Sequence, residues 1–228
     1  MLLGVICPME AEVKPVLEMM TIEKKVEKFG IQIWEGSIDH TKLMVALSGI
    51  GKVAAAATTQ ALICEYDVTH IINAGIAGGL SKRLHVGALV VSTKTEYYDV
   101  RPKDILIENF PNMGVYEADS ELVEIAAQAI RHLNLQDISH FGAMTTGDQF
   151  ITDSKVKEET FAQSEALCVD MEGGAIAHVC FLNKVKFVII RSISDMADDE
   201  AAGIYEDYKN NAHKIYSDVL KQLVKALV

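Results

Sequence analysis

Short, predominantly apolar runs recur along this chain, each ended by a turn signal and most of them followed by a stretch with helical spacing. Leu2–Cys7, His70–Ala74, Gly87–Ser92, Phe141–Thr145, Ala166–Val169 and Phe187–Ile193 are such runs. Apolar segments of this length without polar alternation suit strands buried on both faces, which arise when helices cover both sides of a sheet. The intervening stretches fit. Pro8 ends the first run, and Val13, Val16, Leu17 and Met20 then predict a helix over Met9–Met20. Ile31–Ile38 and Lys42–Leu47 read as a hairpin around Asp39-His40, and Gly49-Ile50-Gly51 turns the chain into an alanine-rich helix reaching about Cys64. Asp119 or Ser120 can cap a helix to about Leu133, Thr152 or Asp153 another, and Gly173–Leu182 reads as a third. Ile215, Tyr216, Val219, Leu220, Leu223, Val224 and Leu227 form one stripe of a final helix. The pattern predicts an α/β fold: a single domain spanning residues 1–228, with a central mixed, largely parallel β-sheet flanked by helices.

Composition narrows the function. The 228 residues, half of them apolar, bury enough surface to need no disulfide or structural metal. A formal charge of -11, from 32 acidic and 21 basic residues, argues against gripping nucleic acid or an anionic bilayer, both of which demand Lys/Arg clusters. Cys7, Cys64, Cys168 and Cys180 are dispersed without a C-x-x-C pair, as in a reducing compartment. The first apolar run is too short to span a bilayer and lacks a basic leader, so the expected location is cytoplasmic.

Ligands of such folds sit at the carboxyl ends of strands. There the sequence offers Glu10 and Glu12, glycine-rich Gly75–Gly79, Gly147-Asp148-Gln149-Phe150, Asp170-Met171-Glu172, and Arg191-Ser192-Ile193-Ser194-Asp195. Carboxylates with one aromatic ring and one Arg suit acid/base work on a sugar or base better than phosphate capture. Ser48–Lys52 (SGIGK) imitates the end of a P-loop, but Ala46 replaces its first glycine and Val53 its magnesium-binding hydroxyl. Asn73–Gly79 lacks dinucleotide-binding spacing and reads either as a tight turn or as backbone that a flat ligand approaches closely. The seven histidines show no metal-ligand spacing, and no serine stands in a G-x-S-x-G elbow. No metal or cofactor is expected. Three of the acids also have an ordinary structural reading, Glu10 and Glu12 as first-turn acids favoured by a helix dipole and Asp195 as the ion-pair partner of Arg191, whereas Asp170 and Glu172 follow a run that reads as fully buried, where carboxylates require partners.

Taken together, these segments resemble the 5'-methylthioadenosine/S-adenosylhomocysteine nucleosidases of the nucleoside phosphorylase superfamily. The resemblance is carried by G-x-I-x-x-M-E-x-E-V at Gly4–Val13, SGIGKVAAA at Ser48–Ala56, N-x-G-x-A-G-G-L at Asn73–Leu80, and GALVVS at Gly87–Ser92 with Tyr97, Tyr98 and Asp99 beyond it. It continues through GDQFI at Gly147–Ile151, VDMEGGAIAHVC from Val169, VIIRSISDMAD at Val188–Asp198, and Tyr205-Glu206-Asp207-Tyr208. It implies a nucleoside phosphorylase-like fold, a small nucleoside substrate and a homodimer.

The resemblance also implies roles. Asp195 would protonate N7 of adenine, Glu12 would activate the attacking water, and Glu172 would bind the ribose hydroxyls. Met171 would pack on the ribose, Phe150 would stack on the base, and the Ile151 backbone would read the purine edge. Ile76, Ala77 and Gly78 would line the floor with Val169 nearby, and Met9, Ile50 and Tyr205 would flank the 5' substituent. Arg191 and Ser194 would orient Asp195. Phosphorylases of the superfamily carry a glycine and an arginine near the first turn, whereas Glu12 would repel phosphate and polarise water, so hydrolysis is expected over phosphorolysis. The sequence departs from the family at Val100–Met113, where Ile105 replaces the usual Phe of a loop that closes the 5' pocket. Asp170 also replaces a Glu, and Ile76 a Ser or Val. These departures leave open a 6-amino-6-deoxyfutalosine or 5'-deoxyadenosine hydrolase. A phosphorylase of the same fold and a storage or binding protein that keeps the fold without catalysis are the other readings, and the joint presence of Glu12, Glu172 and Asp195 speaks for catalysis, since a storage protein has no reason to keep all three.

Overall fold

The computed structural model describes residues 1–111, 113–208 and 213–227. Asn112, in the divergent loop, and the side chains of Asp207 and Tyr208 lie outside the described residues. The chain opens with β1 (Leu3–Cys7), α1 (Glu10–Glu18), β2 (Thr21–Lys28), β3 (Ile31–Ile38), β4 (Thr41–Leu47) and α2 (Lys52–Tyr66). It continues with β5 (His70–Gly79), β6 (Leu89–Tyr97), α3 (Ile105–Glu108), β7 (Val115–Glu117), α4 (Ser120–His132), β8 (Ser139–Thr146) and α5 (Ser154–Ser164). Then come β9 (Cys168–Asp170), α6 (Gly173–Asn183), β10 (Lys186–Asp195), α7 (Ala201–Tyr208) and α8 (His213–Ala226).

All the strands belong to one mixed sheet. Parallel pairings of β1 with β4 and β5, and of β5 with β10, make its centre. The β3–β4 hairpin and antiparallel β2 extend one side. On the other side β10, β6, β8 and β9 succeed one another, and β9 returns to pair with the end of β5. These strands therefore close on themselves around the carboxyl end of β5.

Helices cover both faces. On one face the α8 side chains Tyr216, Val219, Leu220, Leu223 and Val224 are fully buried with Val13 and Val16 of α1, Ala126 and Ile130 of α4, and Ile72 and Ile190 of the sheet. On the other, Leu62 of α2 and Ile176, Ala177 and Cys180 of α6 pack on Ile6, Ile71 and Ile189. A smaller cluster, including Leu80, Tyr98, Ile151, Val169 and Ala197, underlies one end of the sheet. No helix among the described residues is long and apolar enough to cross a membrane.

Asp119 caps α4 by accepting the Leu122 amide, and Asp153 caps α5 by accepting two amides. Gly49 and Gly51 have φ of +80° and +95°, conformations that glycine adopts without a Cβ penalty, and they turn the chain from β4 into α2. The glycine-rich segment after His70–Ala74 is not a turn. It stays in β5 to Gly79, because its backbone is paired with β10 and β9. Strand β2 has no counterpart in the sequence reading: TIEKKVEK is solvated almost throughout, and an edge strand guarded by charges carries no apolar signal.

Candidate active site

The carboxyl ends of β1, β5, β9 and β10 open onto one cavity of about 360 Å³. The first helical turn brings Met9 and Glu12, and the turn before α2 brings Ile50. Strand β5 contributes Ile76, Ala77 and Gly78, the loop after β8 contributes Phe150 and Ile151, and β9 with its end contributes Val169, Met171 and Glu172. Ser194 and Asp195 close β10, and Tyr205 reaches in from α7. Residues more than 180 positions apart in sequence are thus assembled by strand order.

Glu12 occupies the third position of α1. Its Oε2 accepts the Met9 amide at 2.9 Å, one half of a capping box, and its Oε1 accepts the Ile76 amide from β5 at 2.8 Å. The ordinary first-turn role and the pocket position therefore coexist in one side chain. From α8, Tyr216 donates its hydroxyl to the Glu12 carbonyl at 2.9 Å. Gly75 explains how a carboxylate fits here. A Cβ on Gly75 would lie 2.3 Å from Glu12 Oε1 and 2.6 Å from Arg191 Nη1, so β5 carries glycine where two charged groups approach its backbone. Burial raises the Glu12 pKa to about 7, against the lowering pull of Arg191 and of the two amide donors.

Glu172 stands between β9 and α6, and its Oε1 accepts the Gly51 amide at 2.9 Å. Burial first, and the Asp170 charge second, push its pKa up, while Arg191 opposes them. Asp195 follows an irregularity in the pairing of β10 with β5, between Ile193 and Asp195. Ser194 Oγ donates to its Oδ2 at 2.8 Å and the Ala197 amide to its Oδ1 at 2.8 Å. Ala197 itself has φ of +52° in the tight turn that makes this contact. Burial raises the Asp195 pKa, and those two hydrogen bonds hold it down.

Arg191 is placed differently from the sequence expectation. It is fully buried behind the cavity wall and does not pair with Asp195. Four residues along an extended strand span about 13 Å, beyond the reach of the two side chains. Its Nε and Nη2 donate instead to Asp170 Oδ2 at 3.0 and 2.6 Å, Nη2 also donates to Asn73 Oδ1 at 2.6 Å, and Glu172 Oε2 lies 3.7 Å away. Asp170 is held further by Thr146 Oγ1 at 2.5 Å and the Gly173 amide at 3.1 Å. Arg191 thus braces the carboxylates from behind.

The mouth of the cavity is apolar and open. Ile50 is 58% and Phe150 45% exposed, the Phe150 ring lies 5.4 Å from that of Tyr205, and Tyr205 donates its hydroxyl to Met9 Sδ at 3.4 Å. The sequence reading did not single out Pro8, Gln149 or Ala197 as lining residues. Gln149 lies within the GDQFI motif, whereas Ala197 carries no chemical signal and is recognised only by the amide it turns toward Asp195. Among the described residues, no three of His, Cys, Asp and Glu are grouped so as to hold a metal ion.

The sequence matches the phosphorylase superfamily over residues 2–228. The chain belongs to that superfamily. A 5'-methylthioadenosine/S-adenosylhomocysteine nucleosidase of Staphylococcus carnosus is 32% identical over 99% of this chain and 100% of the relative. The crystal structure of the Neisseria meningitidis nucleosidase of the same name, in complex with methylthio-immucillin-A, superposes with a TM-score of 0.93 at 33% identity, covering 99% of both chains. The futalosine hydrolase of Helicobacter pylori strain 26695 superposes with a TM-score of 0.92 at 27% identity, covering 99% of this chain and 97% of that one. This is therefore a nucleoside phosphorylase/nucleosidase-family enzyme, homologous to methylthioadenosine/S-adenosylhomocysteine nucleosidases, with the mixed α/β fold of its superfamily.

The buried Glu12 of this superfamily member gives stability a defined pH dependence. An acid whose pKa is higher folded than unfolded makes the native state bind more protons, so its contribution is full below the unfolded value and declines as pH rises through the folded one. With Glu12 at about 7 against an ordinary 4.5, the decline falls between those two pH values and amounts to about 3 kcal/mol at ~1.4 kcal/mol per pH unit. Urea unfolding of the parent and of Glu12→Gln is expected to show the parent losing about 2 kcal/mol more stability than the variant between pH 5 and pH 7, the part of that decline which falls in this interval.

Proposed function

We propose that the protein hydrolyses the N-glycosidic bond of 5'-methylthioadenosine and S-adenosylhomocysteine, releasing adenine and the 5-thioribose product. The observation that carries this reading is the convergence of Glu12, Glu172 and Asp195 on one cavity whose mouth is lined by Phe150 and Ile50. N-ribosyl cleavage passes through a cationic sugar and a poor purine anion, so it needs a proton at the base and negative charge at the sugar.

In this reading Asp195, protonated when substrate excludes water, donates to N7 of adenine, with Ser194 and the Ala197 amide fixing its carboxyl group. Glu12 holds the attacking water. Arg191 Nη1 stands beside Gly75 with no hydrogen-bond partner among the described residues, so its charge supports the Glu12 carboxylate from behind the cavity wall. Glu172 accepts from the ribose hydroxyls, and its anion favours the developing positive charge on the sugar. Met171 packs on the ribose and Phe150 on the base. The Ile151 backbone reads the purine edge, and Ile76–Gly78 with Val169 form the floor. Met9, Ile50 and Tyr205 accommodate the 5'-thio group.

A 6-amino-6-deoxyfutalosine or 5'-deoxyadenosine hydrolase is the second reading, favoured by the likeness to the Helicobacter pylori futalosine hydrolase and by the divergent Val100–Met113 segment. Both readings share one chemistry and differ only at the 5' end. The proposal includes a homodimer, supported by the exposed apolar side chains of that segment, Ile105, Ile107 and Phe110, the last 91% exposed. Sedimentation equilibrium is expected to give twice the mass of one chain, and a monomer would remove the dimer from the reading.

Incubation with 5'-methylthioadenosine, S-adenosylhomocysteine, 5'-deoxyadenosine and 6-amino-6-deoxyfutalosine is expected to release most adenine from the first two. Added phosphate is expected to leave the rate unchanged and yield free 5-methylthioribose, whereas a ribose 1-phosphate product would assign a phosphorylase. Asp195→Asn is expected to lose about 10²-fold or more in turnover while still binding nucleoside, as for loss of a general acid. Parental turnover by that variant would remove Asp195 from its role.

A further inference from the structure

Lys52 belongs to the SGIGK segment, which lacks the first glycine and the magnesium-binding hydroxyl of a P-loop, and neither it nor Asp99 nor Asp148 lines the cavity. Yet the three join the segments that form its mouth. Helix α2 begins after Gly51, which has no side chain to cap it, and the Lys52 amide is instead accepted at 2.8 Å by Asp148 Oδ1, 96 positions further along the chain. The preceding amide, that of Gly51, is the one donated to Glu172. Lys52 Nζ reaches Asp99 Oδ2 at 2.6 Å and Asp148 Oδ2 at 3.6 Å, and the Asp148 amide donates to Asp99 Oδ2 at 3.0 Å. The ring is closed: each member contacts both others. It is backed by tight packing, since a Cβ on Gly147 would stand 2.4 Å from the Tyr98 ring and 3.0 Å from Asp99 Cγ.

Two residues before Lys52 stands Ile50, and two residues after Asp148 stands Phe150. We propose that Lys52, Asp99 and Asp148 form a clasp that sets the spacing between Ile50 and Phe150 and keeps the Gly51 amide on Glu172. They are positioning residues for nucleoside binding, and this inference rests on the nucleosidase reading above. The acids and the lysine are partly exposed, so each ion pair contributes little to global stability. Opening the clasp loosens the site without unfolding the protein.

The test compares Lys52→Met, Asp148→Ala, their double variant and Lys52→Arg with the parent, reading melting temperature, kcat and KM for 5'-methylthioadenosine, and the calorimetric Kd for adenine. Both single losses are expected to raise KM and the adenine Kd about tenfold with little change in kcat or melting, the double variant to be no worse than either, and Lys52→Arg to restore most of the affinity, as for residues coupled in one network. Parental affinity in Asp148→Ala, or additive losses in the double variant, would overturn the clasp. A parent that binds adenine but releases none from any nucleoside would sink the nucleosidase reading while the adenine Kd values still decided the clasp. A parent that binds no adenine overturns both.

Discussion

A buried guanidinium makes this site possible. Carboxylates withdrawn from water repel one another and lose hydration, and each such cost runs to several kcal/mol unless a cation and hydrogen bonds offset it. Arg191, wholly enclosed, donates three hydrogen bonds to Asp170 and Asn73 and lies within 3.7 Å of Glu172. Its field also lowers the pKa of Glu12 and Glu172 against their burial. Without it the strand ends could not hold so many acids. Asp170 directs its charge at Arg191, leaving Glu12 and Glu172 with only partial neutralisation and so with titration behaviour set largely by desolvation.

The other requirement is room. Side chains cannot converge on a strand that has side chains of its own, and β5 meets this with glycine at positions 75, 78 and 79. Beside Gly78, an added Cβ would lie 3.1 Å from Asp195 Oδ1, and beside Gly75 it would clash with Glu12 and Arg191. The strand persists through this glycine run, despite its low intrinsic preference, because neighbouring backbones pair with it on both edges. Backbone donors then do the positioning: the amides of Met9, Ile76, Gly51 and Ala197 each engage a pocket carboxylate. These hydrogen bonds tie the site to the main chain.

Much of the fold was legible because its strands are buried on both faces. Every residue of LGVIC, CVD and FVIIRSI is buried, and such runs announce themselves without alternation. Helix α4 was legible through its cap, and α8 through its stripe. What escaped were elements with no local signal. Strand β2 is polar and solvated, β7 has three residues, and α3 has four. Helix α7, which brings Tyr205 to the cavity, is eight residues long and carries an aromatic-acid motif without a helical apolar stripe. Among site residues, the acids stood out by chemistry, whereas Pro8, Gln149 and Ala197 line the cavity by position alone.

By itself the sequence determined the element types, the two-faced burial of the sheet and the stock of acids available at strand ends, because each follows from local pattern and from which side chains can ionise. The partner of each charge was decided only by tertiary structure. Arg191 looks, along the chain, like a neighbour of Asp195, yet an extended strand holds them apart while β9 carries Asp170 alongside. Likewise Lys52 meets Asp99 and Asp148 across 47 and 96 positions. Electrostatic pairing depends on distances of a few ångströms in three dimensions, and strand order, not sequence spacing, sets those distances.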